Sequence, residues 1–78
     1  MLLEIITPEK SLFKGEVSLV QLPGSTGSFE IMFNHAPMVA TLKAGNVKIM
    51  DPEKKITYIE ISGGTLEVEN NTILILAE

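Results

Sequence analysis

The sequence predicts an all-β domain of sandwich or barrel type, on three observations. Apolar and polar residues alternate with a period of two, turn-forming residues break the chain at short intervals, and no stretch joins helical period to helix length. Val17, Leu19 and Gln21 alternate with Ser18, Val20 and Leu22, and Thr57, Ile59 and Ile61 face opposite to Ile56, Tyr58 and Glu60. Regular short strands with turns between them build a sandwich or barrel rather than a parallel α/β sheet.

Taken in order, the first strand is expected at Leu2–Thr7, ending at the Pro8-Glu9-Lys10 break. Lys10–Phe13 follows and stops at Lys14-Gly15, and the β-branched stretch Glu16–Leu22 runs to Pro23. Beyond the Pro23-Gly24-Ser25-Thr26-Gly27 turn come Ser28–Met32 and then Met38–Lys43, which ends at Ala44-Gly45-Asn46. Asn46–Met50 runs to Asp51-Pro52-Glu53, and Lys55–Ile61 runs to Gly63-Gly64. Thr65–Glu69 and Thr72–Leu76 form a tight hairpin about Asn70-Asn71, because asparagine tolerates positive φ. Ala36 to Leu42 has room for one helical turn, but Pro37, Val39 and Thr41 disfavour it. Without repeats, low-complexity tracts or a linker, residues 1–78 read as a single domain.

Composition narrows the function classes. A 78-residue chain buries only about 60% of the surface its unfolded form exposes, so its core must be economical. There is no cysteine, so neither disulfides nor a thiolate metal site can staple the fold. Ten acidic residues against six lysines, with no arginine, give a net charge of −4. That balance argues against nucleic acid and against direct binding to an anionic membrane. The longest apolar runs, such as Ile73 to Ala77, fall far short of the ~20 residues that span a bilayer. Met1-Leu2-Leu3-Glu4 lacks the basic and long apolar regions of a signal peptide, so a soluble protein of a reducing compartment is expected.

No constellation for chemistry is visible. His35 is the only histidine, and one imidazole makes neither a metal site nor a catalytic triad. Ser25, Ser28 and Ser62 lie outside any nucleophile-elbow pattern. Pro23-Gly24-Ser25-Thr26-Gly27 resembles a phosphate cradle only in glycine content: no lysine follows at the Walker spacing and no helix begins there. A turn needing positive φ accounts for it better, and Ser62-Gly63-Gly64 likewise reads as a bend or bulge. Lys54-Lys55 sits where lipoyl or biotinyl carrier domains present a lysine, but Glu53-Lys54-Lys55-Ile56 matches neither carrier motif. A solvated turn is the better reading of those lysines. The scattered acidic residues pair into no site. No catalytic, cofactor-binding, metal or small-molecule site is expected.

Two motifs carry the reading further. Leu22-Pro23-Gly24-Ser25-Thr26-Gly27-Ser28-Phe29-Glu30-Ile31-Met32-Phe33-Asn34-His35-Ala36-Pro37-Met38 resembles the segment L-P-G-x-x-G-x-x-G-I/V-x-P-G-H-A-P-L of the ε subunits of F-type ATP synthases. Ile61-Ser62-Gly63-Gly64-Thr65-Leu66-Glu67-Val68 and Ile75-Leu76-Ala77-Glu78 resemble that family's S-G-G-x-x-E-V and its closing V-L-A-D/E. Leu3-Glu4-Ile5-Ile6-Thr7-Pro8 and Phe13-Lys14-Gly15-Glu16-Val17 fit as well, so the resemblance covers the whole chain.

The resemblance implies a flattened β-sandwich of two short antiparallel sheets with about nine or ten strands. It also implies a non-catalytic rotor subunit, without cofactor, at the foot of the central stalk. Such a subunit binds γ and rests on the membrane c ring, coupling ion flow to ATP synthesis. Its place would be the cytoplasmic face of a bacterial inner membrane, peripheral through the complex. The loop against the c ring corresponds to Ser25, Thr26, Gly27 and Ser28. Many relatives carry acids where Thr26 and Ser28 stand, and Glu30, on the face of Ser28, is expected to supply the displaced charge. The γ-facing surface corresponds to Thr7 and His35. Phe33-Asn34 replaces the usual Pro-Gly before that histidine, and Asn34 can keep a left-handed turn. Most members continue into two C-terminal helices that restrain hydrolysis, and nothing follows Glu78 here, so this brake is expected to be missing. The alternatives are a small carrier or binding module using Lys54 or Lys55, and an enzyme using His35.

Overall fold

Turn chemistry sets where this chain reverses. A computed structural model describes all residues from Met1 to Glu78 and contains seven strands. These are β1 (Leu2–Ile6), β2 (Ser11–Glu16), β3 (Leu19–Leu22), β4 (Phe29–Met32), β5 (Met38–Met50), β6 (Ile56–Glu69) and β7 (Thr72–Ala77). Asn70 and Asn71, at φ 49° and 61°, form the two-residue β6–β7 turn expected of an Asn-Asn pair. Asp51 builds the β5–β6 turn: its Oδ1 accepts from the amides of Glu53 and Lys55, both at 2.9 Å.

The all-β expectation holds, but the arrangement into two antiparallel sheets of nine or ten strands does not. One seven-stranded sheet runs in the order β2-β1-β7-β6-β5-β3-β4. Two expected strand pairs merge because their glycine breaks fall at adjoining positions of one ladder, each paired with a residue of the other strand. Lys43 pairs with Gly63 and Gly45 with Ile61, so one register continues from Met38↔Val68 to Met50↔Ile56. These glycines bend the ladder without interrupting it. Gly64, at φ 150°, could not be replaced freely, since an added Cβ would overlap the Leu76 carbonyl oxygen on the next strand. The sheet is also mixed, because β1 joins β7 in parallel, from Leu2↔Thr72 to Ile6↔Leu76.

Three smaller differences have local causes. β2 runs through Lys14-Gly15, where pairing with Glu4 and Leu3 keeps the strand extended. The expected strand Glu16–Leu22 breaks at Val17-Ser18, where the chain crosses between halves of the sheet. There the Val17 amide donates to the Met1 carbonyl, and the Ser18 amide and hydroxyl donate to the Met50 carbonyl. No helical turn forms between Ala36 and Leu42, since β5 starts at Met38.

Alternation places Leu3, Ile5, Ile73 and Ile75 in one cluster with Val20, Leu22, Ile31, Val47 and Ile49. The first group lies on β1 and β7, the second on β3, β4 and the C-terminal part of β5. Laid flat and uncovered, seven strands about 4.8 Å apart would expose both faces of every strand. Yet Leu3, Ile5, Val20 and Ile31 are completely buried, and no helix is present to cover them. The sheet therefore curls on itself, and its two halves close over one core, within a smallest dimension of 19 Å. Each fully buried Leu or Ile contributes about 1.5–3 kcal/mol of transfer free energy to that closure.

Candidate functional site

The β3–β4 loop, which carries Ser25, Thr26, Gly27 and Ser28, is held from its base by backbone. The Lys43 amide donates to the Pro23 carbonyl at 2.8 Å, and the Ser25 amide donates to the Thr41 carbonyl at 3.2 Å. The Thr41 hydroxyl donates to Ser25 Oγ at 3.0 Å. Gly24 is buried in the fold of the loop, where a Cβ would stand 2.5 Å from the Gly27 oxygen and 2.6 Å from the Phe29 ring. Above this base Thr26, Gly27 and Ser28 are exposed, and Gly27 takes φ 136°. Glu30 points outward from β4, between half-buried Phe29 and buried Ile31, so it shares the outer face with exposed Ser28.

The two residues expected to meet a second partner sit far apart. Thr7 follows β1 and organises a tight turn, its Oγ1 accepting from the Glu9 and Lys10 amides at 3.3 and 3.1 Å. His35 lies in the β4–β5 loop, near the opposite end of β1. The Asn34 amide donates to Oδ1 of Asn71, whose carbonyl accepts the Leu2 amide. The length of β1 separates the two levels by about 15 Å. His35 is exposed; its amide donates to the Met32 carbonyl at 3.2 Å and its Nδ1 lies 2.7 Å from the Ala36 carbonyl. A partner that touches both Thr7 and His35 must cover the length of the first half of the sheet.

That half carries apolar residues on its outside as well as its inside. Leu2, Leu74, Ile6 and Leu76 alternate with the buried Leu3, Ile5, Ile73 and Ile75, and Ile6 pairs with Leu76 across the β1–β7 ladder. On the second half, Met32, Leu19, Met50 and Ile56 stand in register across β4, β3, β5 and β6, facing outward. Phe33, Val39 and Tyr58 are 66%, 75% and 61% exposed. Alternation along single strands does not single out these rows, although the sequence carries a signal for them. Leu2-Leu3, Ile5-Ile6, Leu19-Val20, Ile49-Met50 and Ile73-Leu74-Ile75-Leu76 are apolar in both phases of the pleat, a pattern of strands covered on both faces.

Nothing in this geometry assembles chemistry. No three His, Asp or Glu side chains converge as metal ligands. The hydrogen bonds of His35 go to main-chain groups, without carboxylate or hydroxyl. Lys54 and Lys55 occupy the turn organised by Asp51, with Lys54 in the left-handed region at φ 68°.

The profile of the family described as ATP synthase, Delta/Epsilon chain, beta-sandwich domain matches residues 1–78. The chain belongs to this family. It is 49% identical over 74 residues to the ATP synthase epsilon chain of Leptospira borgpetersenii, spanning 95% of this chain and 58% of that one. It is 43% identical over 76 residues to the epsilon chain of Chlorobium limicola, covering 97% of this chain and 86% of that one. Among solved structures, the Euglena gracilis mitochondrial ATP synthase (OSCP/F1/c-ring) contains a chain that superposes with TM-score 0.92 at 20% identity. That match covers 99% of this chain and 49% of the other. A chain of the Tetrahymena thermophila mitochondrial ATP synthase, central stalk and c-ring, superposes at TM-score 0.81 and 20% identity, over 99% and 62%. At that identity the two superpositions establish the fold.

Membership in the ATP synthase family sets aside the separate carrier module at Lys54-Lys55. It also gives meaning to a departure from the family's pattern. Where the family motif has Pro-Gly before its histidine, this chain has Phe33-Asn34, and Asn34 adopts φ 62°. The left-handed turn is kept by the non-glycine residue that tolerates it best.

Proposed function

We propose that this domain, residues 1–78 acting as one unit, is the central-stalk part of an F-type ATP synthase rotor. It binds γ through Thr7 and His35 and the c ring through Ser25, Thr26, Gly27, Ser28 and Glu30. It is non-catalytic, and it passes rotation between ion flow and ATP synthesis without cofactor or substrate of its own. The reading rests on the family match over the full chain, together with 49% identity to a bacterial epsilon chain. The two outward apolar rows support it, because a curled sheet with apolar residues on both faces gains stability from a covering partner. No helix of the chain is long and apolar enough to cross a membrane. Attachment to the cytoplasmic face of a bacterial inner membrane, through the rest of the complex, is part of the same proposal.

The test is to mix purified γ from the same organism with the 78-residue chain and separate the products by size-exclusion chromatography. A one-to-one complex is the expected result. Folded γ that elutes apart from the folded chain at micromolar concentrations would defeat the proposal.

A further inference from the structure

We infer that Asn71 is a positioning residue that holds the His35 loop in the shape γ recognises; this rests on the γ-binding reading of His35. Residues Phe33 to Pro37 are all exposed and bury nothing that could fix their path. Within the loop, His35 turns back on the Met32 carbonyl, a contact with the strand it has just left. The hydrogen bond from the Asn34 amide to Asn71 Oδ1, 3.0 Å long, reaches 37 residues away in sequence. No other hydrogen bond joins this loop to a distant part of the chain.

Asn71 is well placed to serve as the post. It is half-buried in the β6–β7 turn, and its carbonyl accepts the Leu2 amide at 3.1 Å, which ties the turn to the start of β1. Its left-handed backbone, φ 61°, aims the carboxamide at the neighbouring loop, and the amide it receives belongs to Asn34, also left-handed at φ 62°. One side chain thus joins the turn between β6 and β7 to the residue that immediately precedes His35. A purely local role for Asn71 would need only positive φ, which glycine supplies better. The carboxamide oxygen is the part that the turn does not require.

That separation of roles gives the test. Asn71→Gly keeps the turn and removes the acceptor, whereas Asn71→Asp tolerates the same backbone and restores an acceptor oxygen. Hydrogen exchange of the Asn34 amide in the free chain and γ affinity are measured for the wild type and both variants. The expected result for Asn71→Gly is a melting temperature at or above wild type, loss of Asn34 protection, and γ binding weaker by roughly two- to tenfold, the span of one hydrogen bond. Asn71→Asp is expected to recover protection and binding together. Unchanged Asn34 exchange in Asn71→Gly would overturn the staple, and lost protection with wild-type affinity would overturn its positioning role. A wild-type chain that does not bind γ at all would instead defeat the stalk reading, and the exchange measurement would still decide the staple by itself.

Discussion

The two loops at either end of the short strand β4 are held in opposite ways. The β3–β4 loop is anchored by backbone hydrogen bonds to β5 and by a buried glycine, and its exposed tip, Thr26 to Ser28, takes little part in the anchoring. The β4–β5 loop has an exposed path and one long-range tie, made by the side chain of Asn71. A backbone-anchored loop keeps its shape whatever side chains its tip presents, so its contact chemistry can change freely. The proposed c-ring contact, with uncharged Thr26 and Ser28 at the tip and the acid at Glu30, would be a variation of that kind. A loop held by one distant side chain couples its shape to a residue outside the contact. The recognition proposed for His35 would therefore depend on a turn 37 positions away in sequence.

Breaking the first anchor should have the largest effect. Gly24→Ala puts a Cβ 2.5 Å from the Gly27 oxygen and 2.6 Å from the Phe29 ring, against groups with little room to move. A loss of about 1–3 kcal/mol is expected, read as a drop in melting temperature of roughly 10 °C. Little or no drop would show that the loop has slack and is not pinned by its base. His35→Ala acts on the second loop without touching a core residue. It should weaken γ binding by roughly tenfold while leaving the melting temperature nearly unchanged. Equal γ affinity for variant and wild type would remove His35 from the interface.

Smaller effects sharpen the contrast. Glu30→Gln should weaken association with the c ring by roughly two- to fivefold at low salt, with the difference fading at high salt. A salt-independent loss, or none at low salt, would deny the charge role. Thr41→Val removes only the hydroxyl contact to Ser25 and leaves the backbone bond in place. A stability change of about 0.5–1 kcal/mol with no change in partner binding is expected from denaturant melts. A larger change would mean that side chains, rather than backbone, hold this loop.

What the sequence made legible follows from the range of the interactions involved. The Asn70-Asn71 hairpin and the left-handed Asn34 are local properties, and each is found as expected. The continuity of β5 and β6 was hidden because Gly45 and Gly63-Gly64 look like breaks when read singly. They act as bends because each is paired with a residue of the other strand, Gly45 with Ile61, Gly63 with Lys43 and Gly64 with Leu42, so the ladder runs through them. The parallel β1–β7 pair joins the two ends of the chain, and no local pattern specifies a partner at that distance. The same limit concealed the Asn34–Asn71 bond. The motif positions Ser25 to Ser28, Glu30, Thr7 and His35 could be placed on the chain, but the separation of Thr7 from His35 along β1 appears only in three dimensions.

Amide hydrogen exchange of the whole chain, free and bound to γ, tests this division of labour most directly. Slower exchange is predicted at Phe33 to His35 and around Thr7 to Lys10, with no change at Thr26 to Ser28. Protection confined to Thr26 to Ser28, with the His35 loop exchanging as in the free chain, would contradict the account.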